Sequence, residues 1–94
     1  METVPHFEWD DGNIGHLARH GITRAEAQDA VLDPGAIMLE IQARDEERVK
    51  VVGATAGGKI VVIVFTLRGE AIRPITAYEA PGRIQVIYLE GARI

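Results

Sequence analysis

The chain has 94 residues, of which 47% are hydrophobic and 26% charged, as expected of one small globular domain spanning residues 1–94. It contains no cysteine, which excludes both disulfides and thiolate metal sites. The formal net charge of −4 weighs against a protein that holds nucleic acid through its overall charge, because phosphate contacts normally require a basic surplus. Any RNA binding would therefore need a local basic patch.

The N-terminal residues, Met-Glu-Thr-Val-Pro-His, have neither the basic nor the apolar region of a signal peptide. The longest apolar run, Ile60 to Phe65, is far shorter than the ~20 residues that span a bilayer. We therefore expect a cytoplasmic protein that does not enter a membrane.

A short extended segment at Phe7 to Trp9 is expected to be an edge strand or an anchoring piece. Asp10 is a suitable N-cap for a first helix, which should run to about His20 and end at Gly21. The helical spacing predicts a buried stripe made of Ile14, Leu17 and Ala18.

Thr23 and Glu26 have the spacing of a capping box, so a second helix should begin there. It should bury Ala27, Ala30 and Val31 and end before the breaker sequence Asp33-Pro34-Gly35. Because the connection between the two helices is very short, we expect a tight helical hairpin.

Four strands are predicted next, over 36–41, 49–55, 60–65 and 71–78, joined by reversals at 43–47, 56–59 and 68–70. The third is apolar on both faces, which indicates a central strand covered on each side. Pro74 interrupts the fourth and is tolerated mainly at an edge or a bulge.

The last segment, from Ala80 to Ile94, is ambiguous from its residues. Pro81 suits the first turn of a helix, and Ile84, Ile87 and Tyr88 have helical spacing. The same stretch is rich in residues that favour strands, and Pro81-Gly82 would also suit a turn. The residues alone therefore leave helix and strand open.

The order of motifs resembles the BrnT family of toxins. Its opening signature is similar to Phe7-Glu8-Trp9-Asp10, Asn13, His16 and Arg19-His20-Gly21-Ile22-Thr23 with Glu26-Ala27. Later segments also agree, namely Val61 to Thr66 with Arg68-Gly69, then Ile72-Arg73 with Ile75-Thr76-Ala77, and finally Tyr88. The similarity extends from about Phe7 to Glu90, and the joint order of the motifs is more specific than any one of them.

The resemblance implies a RelE-like α+β fold, with two N-terminal helices packed on a four-stranded antiparallel sheet and a C-terminal helix after residue 77. It also implies metal-independent RNA cleavage that is blocked by a ribbon–helix–helix antitoxin, without a cofactor. DNA would be contacted only indirectly, through the antitoxin, and a homodimer is possible.

Cleavage of this kind needs a base, an acid and cations that stabilise the phosphorane. Arg73 lies in the strand motif that supplies a family arginine, and its fork suits phosphate oxygens. The alternative is an edge-strand arginine paired with a nearby carboxylate. His16 and His20 lie one helical turn apart, share a face with Asn13 and are candidate acids or bases. For His20 we favour a structural role at the helix end.

A metal site on His16 and His20 lacks an evident third ligand, so none is predicted. Trp9 is expected to pack the first strand against the helices, although it is also a possible platform for a base.

The chain departs from the family pattern after residue 77. Tyr78 replaces a common arginine, and Arg83 is the only cation in 81–87. Tyr78 is then a candidate proton donor and Glu79 a candidate base. Lys59, Arg68 and Arg83 are candidate RNA-binding cations, partly offset by Glu70 and Glu79.

Two functions follow. One is a ribonuclease toxin with an unusual site. The other is a catalytically degenerate module that acts by binding a protein partner, which the acidic balance and the apolar end favour.

Overall fold

The computed structural model describes residues 5–42 and 47–91. It contains five strands and three helices, in the order β1 (His6–Phe7), α1 (Asp11–Arg19), α2 (Arg24–Leu32), β2 (Ile37–Gln42), β3 (Arg48–Ala54), β4 (Ile60–Arg68), β5 (Ala71–Glu79) and α3 (Gly82–Gly91). The α+β class and the terminal helix agree with the sequence prediction. The predicted reversal at 43–47 falls mostly outside the described residues.

The sheet has five strands in the order β1-β5-β4-β3-β2 and is mixed. Strands β2 to β5 form the predicted antiparallel meander. The expectation of a purely four-stranded antiparallel sheet is corrected by β1, which pairs in parallel with the start of β5 through His6 and Phe7. The extended segment at the N-terminus is therefore an edge strand of the same sheet.

Both helix starts follow from local capping. Asp10 accepts a hydrogen bond from the backbone N–H of Asn13, whose side chain accepts one from the Asp10 backbone. Thr23 and Glu26 exchange the same pair of bonds at the start of α2. Gly21 has the positive φ of 77° expected of the residue after the first helix. The two predicted helix starts are confirmed.

One face of the sheet carries α1 and α2. Alternate residues of β3 and β4 point to this face, and they form a core with Leu17, Ala27 and Ala30. Contrary to the predicted stripe, Ala18 is exposed and Asn13 is buried in its place. The helices also make most of their contacts with the sheet rather than with each other, so they do not form the expected tight hairpin.

Part of the opposite face is covered by α3. Val52 and Val62 are fully buried there against Ile84 and Tyr88. Central strand β4 is thus covered on both sides, as its sequence predicts. Of the described residues, none belongs to a helix both long and apolar enough to cross a membrane.

Pro74 lies at the irregularity that its sequence predicts. Val64 pairs with Thr76 but Phe65 pairs with Pro74, so Ile75 is an extra residue in β5. This bulge has a direct consequence for the site, because it sets which face of the sheet receives Arg73 and Thr76.

Candidate functional site

The part of the α3-side face that α3 leaves uncovered is polar. Cross-strand partners point to the same side of a sheet, and the register places Lys50, Val64 and Thr76 in one row and Arg48, Thr66 and Arg73 in the next. These residues alternate along their strands with core residues of the other face, such as Val49 and Phe65. Basic side chains therefore lie on an open half of the sheet.

Two adjacent depressions lie beside β5, one on this face and one where α1 of the other face packs against the strand. The first, which we name the β5 recess, is lined by Gly12, Asn13, His16, Arg73, Pro74 and Ile75. The second, which we name the sheet groove, is lined by Glu40, Gln42, Arg48, Val49, Lys50, Val64, Ile75 and Thr76. Because Ile75 lines both, they are neighbouring parts of one surface.

His16 joins the two depressions. Its Nε2 atom lies 3.0 Å from the hydroxyl oxygen of Thr76, and its side chain is partly exposed. The hydroxyl is able to donate to a neutral ring nitrogen and to accept from a protonated one, so the contact suits both states of the imidazole. A histidine ring held in this way is chemically able to act as an acid or a base.

Asn13 fixes α1 to the bulge of β5. Its side-chain amide donates to the carbonyl oxygens of Glu8 and Pro74, each at 3.0 Å. Together with its two capping bonds this satisfies the buried amide. The position of His16, one turn along the same helix, depends on this attachment.

Arg73 is paired with two carboxylates, which is the alternative that the sequence left open for it. Its guanidinium lies 3.1 Å from Glu8 and 2.8 Å from Asp10. Arg68 also contacts Glu8, at 3.9 Å. The hydrogen bond to Asp10, followed by the bond to Glu8, raises the pKa of Arg73. The Asn13 backbone N–H, and then Arg73, lower the pKa of Asp10.

His20 is the C-cap of α1, where its backbone N–H bonds to the Leu17 carbonyl. Its ring is exposed and lies 5.3 Å from the His16 ring. Among residues 5–42 and 47–91, no group of three or more His, Cys, Asp or Glu side chains is placed to hold a metal ion.

The remaining predicted site residues lie at the other end of β5. Tyr78 packs under α3, and Glu79 is exposed at the strand end. Along the strand, Tyr78 is about 16 Å from Arg73, at 3.3 Å per residue. The structure therefore places His16 and Arg73 in one recess, with His20 beside His16 and Arg68 in contact with Glu8, the partner of Arg73. Tyr78 and Glu79 lie farther along β5 from Arg73.

Lys59 and Arg83 also lie away from the β5 recess. Lys59 forms a 2.9 Å ion pair with Glu26, which raises the pKa of Lys59 and lowers that of Glu26. Arg83 is exposed in the first turn of α3. Trp9 packs against the helix-side core, as expected, and stacks on Phe7 with ring centroids 6.5 Å apart.

Three polar residues near the site were not identified from the sequence. Arg48 and Lys50 line the sheet groove, and their alternation with Val49 and Val51 is a signal that would have placed them on one face. Thr76 was noted only as part of a motif. Its contact with His16 joins residues that are sixty positions apart in the sequence, so no local sequence pattern predicts this contact.

Tyr88 anchors α3 to the end of α2 and the end of β3. Its hydroxyl donates to the Asp33 carboxylate at 2.5 Å, and the same carboxylate accepts backbone N–H bonds from Gly35 and Ala54. Burial raises the pKa of Asp33, but these three hydrogen bonds outweigh it and leave the pKa below its ordinary value. The bond to Asp33 also raises the pKa of Tyr88.

A small α+β protein that gathers cations and a histidine on one open half of a sheet has the features of a protein that handles a phosphate-bearing ligand. The family model described as "Ribonuclease toxin, BrnT, of type II toxin-antitoxin system" matches residues 9–83. The chain therefore belongs to the BrnT family. The match covers α1, α2 and β2 to β5 and stops at the second residue of α3. No curated protein matches the chain.

Proposed function

We propose that the protein is a metal-independent endoribonuclease toxin whose reaction centre is the β5 recess, with His16 as its proton-transfer residue. The observation that carries this proposal is the contact of His16 with Thr76 at the junction of the two depressions. The family description supports both ribonuclease chemistry and the existence of a protein antitoxin. Cytoplasmic action on RNA by a single-domain chain is part of the same proposal.

The reaction would use the RNA's own 2′-hydroxyl as nucleophile. The 2′-oxygen attacks the adjacent phosphorus, the bond to the 5′-oxygen breaks, and the products are a 2′,3′-cyclic phosphate and a free 5′-hydroxyl. His16 would accept the 2′-hydroxyl proton while water protonates the departing 5′-oxygen, or in its protonated form would donate to the 5′-oxygen while water accepts the 2′-hydroxyl proton. Thr76 orients the ring for this transfer, because its hydroxyl holds Nε2.

Arg73 would stabilise the charge that develops on the phosphorane. Two of its five N–H donors are directed at Glu8 and Asp10, which leaves donors for a phosphate oxygen. The carboxylates hold the guanidinium in place at the wall of the β5 recess. The same ion pairs reduce the net positive charge presented to RNA, so the contribution of Arg73 depends on hydrogen bonding more than on field strength.

The test is cleavage of a mixed RNA by the purified, antitoxin-free protein in the presence of EDTA. We expect cleavage with 2′,3′-cyclic phosphate ends, and a loss of at least ~100-fold in His16→Gln, the scale of one acid–base residue. His20→Gln is the matched control, since its ring lies beside that of His16 but outside the contact with Thr76. Equal activity of His16→Gln and wild type would refute the role of His16.

Arg73→Ala provides a second test, and we expect it to abolish cleavage while the protein stays folded. Because this change also leaves Glu8 and Asp10 without their guanidinium partner, folding has to be checked by circular dichroism. Arg68→Gln is a useful comparison that removes a more exposed contact to Glu8. Undiminished cleavage by a folded Arg73→Ala variant would contradict the role given to Arg73.

The proposed partner is a ribbon–helix–helix antitoxin. The type II description of the family supports a protein antitoxin, and the ribbon–helix–helix class and indirect DNA binding are parts of this proposal. We expect such a protein to be encoded beside this one and to co-purify with it when both are expressed. Size-exclusion chromatography with light scattering would show the stoichiometry and would also reveal a homodimer.

A catalytically degenerate binding module is the second candidate. It is favoured by the pairing of Arg73 and Lys59 with carboxylates and by the apolar outer surface of α3, where Val86 and Leu89 are 52% and 54% exposed. This candidate predicts a well-folded protein that binds the antitoxin and leaves RNA intact. The cleavage assay therefore separates the two functions.

A further inference from the structure

The sheet groove contains two cations that the reaction proposed above does not use. Arg48 and Lys50 flank Val49 on β3, and because side chains alternate along a strand both point away from the helix-side core that holds Val49. Lys50 is opposite Val64, which is opposite Thr76. Lys50 is therefore two strands, or about 10 Å, from the contact between Thr76 and His16.

Within the described parts of the chain, these cations are weakly engaged by other side chains. Lys50 lies 3.7 Å from Glu40, and the two side chains are 35% and 47% exposed. Exposed pairs of this kind contribute little stability, so an anionic ligand is able to compete for the ammonium group. Arg48 forms no ion pair with any other residue of 5–42 or 47–91.

The shape and chemistry of the sheet groove suit an extended polyanion. It runs across β3, β4 and β5, its walls include Gln42, Val64 and Thr76, and it adjoins the β5 recess through Ile75. A strand of RNA lying in it would pass from the reaction centre to Arg48 and Lys50. Single-stranded RNA is the form whose backbone is able to follow such a surface with its bases unpaired.

We propose that Arg48 and Lys50 bind a backbone phosphate of single-stranded RNA next to the scissile one, and that Glu40 limits the affinity by competing for Lys50. This inference rests on the proposed function, because it assigns the substrate path to the same surface. It adds two binding residues and one opposing carboxylate, none of which takes part in proton transfer.

The binding experiment uses fluorescence anisotropy with a short randomised oligoribonucleotide whose riboses are 2′-O-methylated, so that the nucleophile is blocked. We expect Arg48→Gln and Lys50→Gln each to weaken binding about fivefold, the upper value for an exposed charge contact. The double variant should also reduce the slope of log K against log salt by about 0.7, the value for one phosphate contact on a single strand. Arg24→Gln, an exposed cation on α2, is the matched control and should change neither quantity beyond a small general charge effect.

Glu40→Gln gives a gain-of-binding test. It removes the carboxylate beside Lys50, so the oligonucleotide should bind about two- to fivefold more tightly. Glu90→Gln on α3 changes the net charge equally but lies outside the sheet groove, and it should change binding much less. Equal gains in the two variants would show only a long-range charge effect and would overturn the assignment of Glu40.

Cleavage of unmodified RNA separates failure of this inference from failure of the proposed function. If the wild type cleaves and Arg48→Gln, Lys50→Gln and Arg24→Gln show the same binding and KM, the inference is wrong and the ribonuclease stands. If the wild type binds the oligonucleotide through Arg48 and Lys50 but does not cleave, the inference stands and the reaction assigned to His16 is wrong. An absence of binding in the wild type overturns the inference.

Discussion

At Gly53 the backbone of β3 lies directly against the backbone of Ala30 in α2, and replacement of Gly53 by alanine tests how rigidly the helix side is packed. A Cβ atom at this position would lie 2.8 Å from the carbonyl carbon of Ala30 and 3.1 Å from its Cα, and still closer to its carbonyl oxygen. These are backbone atoms of a helix, so no side-chain rotation relieves the overlap.

The loss of stability depends on which elements have to move to make room for the new Cβ atom. Ala27 and Ala30 have no exposed surface, and a shift of α2 away from β3 would open contacts along the buried core formed by Leu17, Ile22 and Ile63. Overpacking in a core commonly costs 1–3 kcal/mol, and an obstruction by backbone belongs at the upper end. We expect Gly53→Ala to lower the free energy of unfolding by about 3 kcal/mol, against about 5–14 kcal/mol for a chain of this length.

Guanidinium unfolding followed by circular dichroism measures the effect, and the melting temperature should fall by roughly 15 °C. Gly15→Ala is the control, because a Cβ there meets no heavy atom within 4 Å and the residue lies inside α1. That variant should gain about 0.5–1 kcal/mol from helix propensity. An unfolding free energy for Gly53→Ala within 1 kcal/mol of wild type would refute the rigid contact.

Two further predictions concern the attachment of α3. Tyr88→Phe removes the hydroxyl that donates to Asp33. We expect the free energy of unfolding, measured in the same assay, to fall by about 1 kcal/mol. Tyr78→Phe is the control, because it leaves this hydrogen bond intact. The free energy of unfolding should depend on pH in two ranges, an acid limb set by Asp33 and an alkaline limb set by Tyr88. Because the pKa of Asp33 is lowered by folding, its contribution is complete above the ordinary value of 3.8 and is lost as pH falls through the folded value. Because the pKa of Tyr88 is raised, its contribution is complete below 10.0 and is lost as pH rises through the folded value. In Tyr88→Phe the alkaline limb should be lost, and the acid limb should also become smaller, because the Tyr88 hydroxyl is one of the donors that lower the pKa of Asp33. An unchanged alkaline limb would contradict this assignment.

The helix starts could be predicted because their causes are local. A cap and its partner are three residues apart, and both Asp10 and the Thr23–Glu26 box are where the sequence indicates. The same holds for the covered strand β4, whose apolar composition on both faces follows from burial on both sides. Local chemistry was therefore enough to predict the order of the elements as far as β5, whereas the helix that follows was implied only by the family resemblance.

The edge strand and its consequences depend on distant partners. A strand of only two residues is too short to show a periodic sequence pattern, and its partner is distant in sequence, since His6 pairs with Ala71. The ion pairs that hold Arg73 join it to Glu8 and Asp10 in the same way. The sequence could name a nearby carboxylate as one alternative for Arg73, but only the folded sheet identifies the two residues.

The candidate site could be predicted in part. His16 and Arg73 are both predicted from the sequence and line one recess, with His20 beside His16 and Arg68 in contact with Glu8. Tyr78 and Glu79 are predicted from their place after the family motif, and five positions at about 3.3 Å each separate Tyr78 from Arg73 along β5. The helix α3 packs over Tyr78 and leaves the sheet groove open, which only the folded chain shows.

The distribution of charge changes the argument that the acidic composition makes against RNA. Four of the ten basic residues, Arg48, Lys50, Arg68 and Arg73, lie on the uncovered half of one sheet face. At physiological ionic strength a charge is screened beyond about 8 Å, so a phosphate in the sheet groove responds mainly to these side chains and to Glu8, Asp10 and Glu40. The net charge of −4 acts over longer distances, where it slows the approach of a polyanion at low salt. Local cations therefore govern affinity in the sheet groove, while the net charge governs the rate of encounter, and the two effects respond to salt in opposite directions.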